Sequence, residues 1–323
     1  MRVVRAMAFG GPEVLVAGEA PEPAAGPGQV VVEVAAVDTL FVETQVRSGW
    51  GREFFPVEPP YVPGAGIAGT VRELGEGVEA AWLGRRVVAS LGISGGYADR
   101  AVASAGALAP IPDGLSFTDA AALVHDTITA TALLDLTAPK PGERVLITGA
   151  SGGMGVLLVQ LARAAGAWVV GTARGERKAA LVRELGADAV VDAREPDWVE
   201  RALEALGGEG ADVVWDGVGG QVGLAAFALV ADGGRFSAHG APTGGFAEVD
   251  PAEAERRGVR LLGITELRLP ESEHARLAQE ALRAAAAGRV RPVIGGVFPL
   301  ERAADAHAAI ENRSLLGKAV IRV

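Results

Sequence analysis

The stretch ITGASGGMG, Ile147–Gly155, carries almost no side chain: six of its nine residues are Gly, Ala or Ser. Two unrelated chemistries share these letters. Gly149, Ser151 and Gly153 spell G-x-S-x-G, the elbow that presents a nucleophilic serine in α/β-hydrolases. Ala150, Gly152 and Gly155 keep the spacing of G-x-G-x-x-G with Ala in first place, a turn that lets backbone N–H groups approach a pyrophosphate. The flanking chain decides between them. RVLIT (Arg144–Thr148) is an apolar strand before the turn. After it, Met154, Leu157, Leu158, Leu161, Ala162 and Ala165 recur on one helix face, which Gly166 ends.

Further outward, strand and helix alternate from 144 to about 263. The strands read WVVGT, DAVVD, ADVVWDGV, GRFSAHG and VRLLGI. The helices between them read ERKAALVRELG, EPDWVERALEALGG, QVGLAAFALVADG and AEAERRG. With RVLIT this makes six near-continuous apolar strands separated by helices, the pattern of a parallel sheet covered on both faces. A hydrolase elbow follows several β/α units, whereas this turn follows the first strand of the alternating region. The hydrolase alternative through Ser151 also needs a later acid and histidine, and Asp216 and His239 fit by order alone. A dinucleotide turn belongs after the first strand, where the helix N-terminus aims unpaired N–H groups and a positive dipole end at the phosphates. Ala150, Ser151, Gly152, Gly153, Met154 and Gly155 are therefore the candidate cofactor cradle.

The second strand indicates which dinucleotide. NAD binders place an acid at its end to bond the ribose hydroxyls; here that position is Ala173, followed by Arg174, with Lys178 four residues further on. A missing acid with two cations nearby favours a 2′-phosphate, hence NADPH.

Residues 1 to about 118 are different in kind. QVVVEVAAV (Gln29–Val37), GIAGTVREL and RRVVASL are strand candidates between Gly/Pro-rich turns, and helical periodicity is weak. SFTDAAALVHDTITATALLDL, from Ser116, reads as one helix with a Ser start. After 265 come two helices, SEHARLAQEALRAAAAG and LERAADAHAAIENR, with PVIGGVFP between them and a final strand, GKAVIRV. This tail is too small to stand alone and is expected to return to the first domain. The expected division is 1–120 with 266–323, and 121–265.

Composition bounds the function. A chain of 323 residues accommodates two domains, and a net charge of −10 argues against a nucleic-acid binder. The absence of cysteine removes disulfides, thiolate nucleophiles and every Cys-containing zinc site. The four histidines, His125, His239, His274 and His307, lack H-x-H or H-E-x-x-H spacing, so no metal site is expected. The opening MRVVRAMAFGG has no signal-peptide core, and no uncharged apolar run approaches a membrane span, so a cytoplasmic protein is expected.

Taken in order, GPGQVVVEVAAV, VRSG (Val46–Gly49), PYVPGAGIAGTVRELGEGV, LGRRVVA, GGYADRAV, the long KPGERVLITGASGGMG segment, RELGADAVVD, DVVWDGVGG and NRSLLGKAVI resemble the medium-chain dehydrogenase/reductase superfamily, in its zinc-independent quinone oxidoreductase branch. The resemblance implies a GroES-like β-rich domain built from both chain ends, a Rossmann domain between, and homodimers. It also implies further cofactor contacts at Thr129, Gly217, Gly240, Ala241 and Arg313. Zinc-dependent relatives carry Gly-His-Glu where Gly64, Ala65 and Gly66 stand. Without a Lewis acid, hydride transfer is expected to a quinone or an α,β-unsaturated carbonyl, where negative charge delocalises. The chain departs from the branch at Asp38, in place of an Asn, at Gln45 and Gly51, in place of tyrosines, and at Ala193, in place of a Tyr. Candidate donors to the developing anion are Asp38 if protonated, Trp50, Tyr61 and His125. A protein that senses NADPH without turnover is the alternative these departures leave open.

Overall fold

The structure, a computed structural model, describes residues 1–267 and 269–323. The chain forms two compact units, Met1–Ile128 with Leu269–Val323, and Thr129–Arg268.

The first unit begins with strands β1 (Arg2–Ala6) and β2 (Leu15–Glu19), an antiparallel ribbon. Then come β3 (Gln29–Thr39), helix α1 (Phe41–Ser48), β4 (Gly66–Leu74), β5 (Arg86–Ser90), β6 (Arg100–Ser104), β7 (Leu108–Pro110) and α2 (Phe117–Leu123); α3 (Asp126–Thr137) begins here and crosses the boundary at Ile128 into the second unit. The sequence reading missed α1. Glu43 ties its start by accepting the Leu40 N–H at 2.8 Å, and Gly49 ends it with φ of 95°. These are capping signals, legible only once the helix is suspected. The single helix expected from Ser116 is two, α2 and α3, parted at Val124–His125.

The second unit alternates β8 (Arg144–Thr148), α4 (Gly153–Ala164), β9 (Trp168–Thr172), α5 (Gly175–Glu184), β10 (Ala189–Val191), α6 (Trp198–Ala205), β11 (Ala211–Asp216), α7 (Gly220–Ala228), β12 (Val230–Ala238), α8 (Pro251–Arg256) and β13 (Arg260–Gly263). The six strands pair in parallel in the order β10-β9-β8-β11-β12-β13. This is a Rossmann-type doubly wound sheet whose order reverses between β8 and β11. Leu146, Val170 and Val214 are buried because both faces are covered. One element boundary differs from expectation: ALVADG does not continue α7. The helix stops at Ala228, and β12 takes the rest, with a register irregularity against β11 and Gly233 at φ of 77° absorbing the extra residues.

After α9 (Glu271–Ala286), β14 (Ile294–Pro299), α10 (Ala303–Glu311) and β15 (Lys318–Arg322) complete the first unit. Its sheet runs β14-β15-β3-β4-β5-β7, and β6 also pairs β3. β3 is the organising strand. One edge pairs β4 along most of its length; the other is shared by β6 at Gln29–Glu33 and β15 at Ala36–Thr39. The register Val320↔Asp38 brings Lys318, at the start of the last strand, beside the end of β3.

Candidate functional site

In the unit Thr129–Arg268 the glycine turn is held by its neighbours. Gly149 has φ of 66°, a conformation that favours glycine. Its N–H donates to Thr172 Oγ1 at 3.1 Å, and the Ala150 N–H donates to the Thr172 carbonyl at 3.0 Å. The turn is thus pinned to the end of β9. A Cβ on Gly155 would stand 2.3 Å from the Gly149 carbonyl, so only glycine lets α4 start this close to the turn. Gly152 caps α4 with no side-chain acceptor, which leaves the first-turn amides of Gly153, Met154 and Gly155 for an outside anion. Ser151 is buried at the same turn.

The neighbouring turns are tied in by Asp216. Its carboxylate accepts from Thr148 Oγ1 at 2.6 Å and from the Val218 and Gly219 amides, while Thr148 Oγ1 accepts the Gly217 N–H. Burial raises the Asp216 carboxyl above its ordinary range, against the pull of these donors. A Cβ on Gly240 would meet the Gly217 backbone at 2.2 Å, so these two glycines pack main chain on main chain. His239 follows β12. Its Nδ1 lies 3.2 Å from Ser237 Oγ, its Nε2 is buried with no partner, and burial pushes its pKa down to about 4, so the ring is neutral. Asp216 and His239 therefore do not form the pair that a hydrolase mechanism at Ser151 requires.

At the start of α5, with Arg174 and Lys178, the structure brings in Asp192 and Arg194, which the sequence reading missed. Arg174 is the exposed N-cap and Lys178 lies one turn on. Ala173 is not acidic, but Asp192, just after β10, supplies a carboxylate here: its Oδ2 accepts the Gly175 N–H at 2.8 Å. Arg194 clamps Asp192 through three bonds and holds it well below the usual carboxylate range. The acid and its clamp are neutral together. Thr129 lies in α3 and Ala241 in the loop after β12. Arg313 belongs to the other unit, where it follows α10 with φ of 54°.

The first unit contains a buried charged cluster. Asp38, fully buried, pairs with Lys318 Nζ at 2.8 Å through Oδ1, and its Oδ2 lies 3.2 Å from His125 Nδ1. Lys318 also bonds Asp126 at 2.8 Å, and His125 Nε2 faces Ser90 Oγ at 3.2 Å. A Cβ on Gly66 would stand 2.6 Å from the His125 ring, so that glycine makes the space for it. Burial alone would raise the Asp38 carboxyl, but Lys318 and His125 outweigh it and hold the group below its ordinary range. The expectation of a protonated, proton-donating Asp38 is thereby corrected: it is an acceptor. Lys318 is pushed up, its two carboxylates outweighing burial. Of the other candidate donors, Tyr61 is raised to about 12 by burial and by Glu43, and its main chain pairs with Ala6. Trp50 is half-buried just past α1. Neither bonds the cluster in any described contact. The sequence reading had His125 and Asp38 but missed Ser90 and Lys318. The available signal was a lysine opening an otherwise apolar strand, AVI, in GKAVIRV.

Deeper in the same unit, Glu43 accepts from the Gly64 and Ala65 amides at 3.0 and 2.8 Å, and burial pushes it up to about 7. Tyr97 bonds His307 at 2.8 Å, and buried Arg47 pairs with Glu311. Among the described residues no group of three or more His, Asp or Glu is placed to hold a metal ion. No helix among them is long and apolar enough to cross a membrane.

Comparison with known proteins agrees with this architecture. The sequence model of the alcohol dehydrogenase GroES-like domain matches residues 26–113, and that of a zinc-binding dehydrogenase matches residues 185–321. The chain is 34% identical to a quinone oxidoreductase of Rattus norvegicus over 326 residues, covering 99% of this chain and 97% of that protein. It is also 34% identical to a 2-haloacrylate reductase of a Burkholderia species, covering 97% and 96%. Among solved structures, an Escherichia coli quinone oxidoreductase complexed with NADPH superposes with a TM-score of 0.93 at 28% identity, covering 100% of both chains. With its parallel sheet, its glycine turn and these relatives along nearly its whole length, the chain belongs to the medium-chain dehydrogenase/reductase superfamily, in the quinone oxidoreductase-like branch.

Proposed function

We propose that this protein is an NADPH-dependent reductase that reduces a quinone or an α,β-unsaturated carbonyl without zinc. The observation that carries the reading is near-full-length similarity to a quinone oxidoreductase and a 2-haloacrylate reductase, joined to an uncapped helix N-terminus that only a glycine at 155 lets start this close to the turn. The residues present fit the cofactor. The first-turn amides of α4, with Ala150 and Ser151, suit the pyrophosphate, and the orphaned Nε2 of buried His239 offers a further polar contact beside Gly217. Arg174 and Lys178 suit the 2′-phosphate, Asp192 being already neutralised by Arg194. Gly217, Gly240 and Ala241 suit the neighbouring stretch, with Thr129 as a further contact. Bound NADPH supplies the hydride.

One matching sequence model carries a zinc-binding description, yet this chain has no cysteine, and Ala65 and Gly66 stand where zinc-dependent relatives place His and Glu. Both facts support zinc-free chemistry on acceptors that delocalise charge themselves. Homodimers and a cytoplasmic setting complete the reading. The sensing alternative rests on the departures at Asp38, Gln45, Gly51 and Ala193 alone.

The test is NADPH consumption by purified, chelator-treated protein against a panel of 1,4-quinones, enals, enones and enoyl thioesters, with sedimentation for the dimer. Turnover with at least one acceptor in the presence of chelator is expected. NADPH binding without turnover on any of them overturns the reading in favour of sensing.

A further inference from the structure

The loop after β10 reaches the first turn of α5. The Ala173 N–H donates to the Val191 carbonyl at 3.0 Å, which keeps the ends of β9 and β10 together. Asp192 Oδ2 then accepts the Gly175 N–H at 2.8 Å, so a carboxylate from the loop after another strand satisfies the first amide of the helix. An acid in this neighbourhood is what an NAD binder offers to the ribose hydroxyls, and it would repel a 2′-phosphate. Arg194 is bonded to that acid. Its main-chain N–H donates to Asp192 Oδ1 at 3.0 Å, its Nε to Oδ1 at 3.0 Å and its Nη2 to Oδ2 at 2.5 Å. The main-chain bond closes a tight loop two residues long, so guanidinium and carboxylate are held as one unit. The carboxylate is 19% exposed and the guanidinium 57%, so the cation covers the acid from the solvent side. A guanidinium has a second donor edge, Nη1–Nη2, which points away from a carboxylate held on Nε and Nη2. The same side chain lies over the helix start. A Cβ on Gly175 would stand 3.5 Å from Nη2, and the residue before that glycine is the N-cap Arg174.

We propose that Arg194 sets the preference between the two nicotinamide cofactors: it masks Asp192 from the ribose and turns its second donor edge to the 2′-phosphate. This rests on the NADPH reading above, and it lies wholly within the unit Thr129–Arg268. The pair acts in two directions. With Arg194 in place, the acid carries no net charge to repel the phosphate, and the guanidinium adds a bidentate, charge-assisted contact to those of Arg174 and Lys178. Without Arg194, the carboxylate stays at the helix start, held by the Gly175 amide and the positive end of α5. There it accepts from a free ribose hydroxyl and repels a phosphate. The mask is therefore distinguishable from a cation that only adds attraction. Removing such a cation leaves NADH binding as it was, whereas removing the mask improves it.

The test measures dissociation constants for NADPH and NADH by cofactor fluorescence in the unaltered protein, in Arg194→Ala, in Arg194→Ala with Asp192→Asn, and in Arg194→Lys. Arg194→Ala is expected to weaken NADPH about 100-fold, through both a lost charge-assisted bond and an unmasked repulsion, and to tighten NADH about threefold. Adding Asp192→Asn removes the repulsion but not the lost bond. NADPH is then expected to bind about tenfold more weakly than in the unaltered protein, and the NADH gain disappears. Arg194→Lys keeps the charge but cannot hold the carboxylate and present a planar edge together, so its NADPH affinity falls between those of Arg194→Ala and the unaltered protein. Equal weakening of both cofactors in Arg194→Ala means a structural role and overturns the proposal, as does an NADPH affinity that this variant leaves unchanged. An NADPH loss that Asp192→Asn does not relieve overturns the mask. Unaltered protein that binds neither cofactor, or prefers NADH, overturns the NADPH reading, and the proposal with it.

Discussion

Between Gly149 and Gly155 the turn of the Rossmann-type unit carries no ionisable side chain, whereas in the GroES-like unit Asp38, Asp126 and Lys318 lie buried in one bonded cluster. The first region would hold charge with main-chain amides, whose dipoles are fixed by the helix and need no counter-ion in the free protein. The second holds charge with side chains, and each must be balanced by another or the fold is destabilised. The two regions should therefore break under opposite changes. Added bulk is the threat to the turn, and removed charge is the threat to the cluster.

The largest expected effect is Lys318→Met. It leaves two buried carboxylates without their cation and should cost about 3–5 kcal/mol in urea unfolding, the range for breaking a buried ion pair. Adding Asp38→Asn and Asp126→Asn to that variant should recover most of the loss. A single variant as stable as the parent would show that the cluster is not held by charge balance. Next is Gly155→Val, whose Cβ would lie within 2.3 Å of the Gly149 carbonyl. Overpacking of about 1–3 kcal/mol at the turn corresponds to about a 5- to 160-fold rise in the NADPH dissociation constant, read by fluorescence titration. Gly18→Ala, on exposed β2, where a Cβ would meet only the Arg5 guanidinium at 3.6 Å, serves as the control for added bulk away from the turn.

A smaller effect sharpens the same comparison, since side-chain charge also appears at the rim of the Rossmann-type unit. Arg174→Ala with Lys178→Ala should raise the Michaelis constant for NADPH about tenfold and leave NADH nearly unchanged, as expected for losing charge-assisted bonds to a phosphate. An unchanged preference between the two cofactors would refute the 2′-phosphate assignment.

The smallest effect is in pH. His239 and His307 are pushed down by burial to about 4 and about 3 from an ordinary 6.5. The unfolded chain binds protons that these rings refuse, so their contribution is full above 6.5 and is lost as pH falls toward 4. Glu43, pushed up to about 7 from 4.5, works the other way: its burial is increasingly destabilising as pH rises through that window. The melting temperature should fall on acidification below 6.5, and His307→Gln should flatten that fall. Glu43→Gln should flatten the loss toward neutral pH. Either variant tracking the parent curve would place its group outside the linkage.

Much of the Rossmann-type unit was legible because its signals are local. Six apolar strands, the periodic face from Met154 to Ala165, and the run of small residues from Gly149 each declare themselves within about a dozen residues. The segment ALVADG misled because an apolar helix end and a strand start look alike without the bulge that separates them. In the GroES-like unit α1 escaped because eight residues give little periodicity, and its start is tied by Glu43 rather than by a Ser or Asp cap. Asp192 escaped for a different reason. Its carboxylate reaches the α5 amide from another strand, 17 residues away in sequence.

The sequence by itself determined the alternation of strands and helices, the absence of thiol chemistry, and a turn that admits almost no side chain, because each follows from residue identities a few positions apart. Only the tertiary structure decided that Lys318 stands between Asp38 and Asp126, that Asp38 is an ionised acceptor rather than a donor, and that His125 bridges Asp38 to Ser90. Those contacts join β3, β5, α3 and β15 across as many as 280 residues of chain, from Asp38 to Lys318. Whether a carboxylate is charged depends on which cation the folded sheet sets beside it, and no local pattern carries that information.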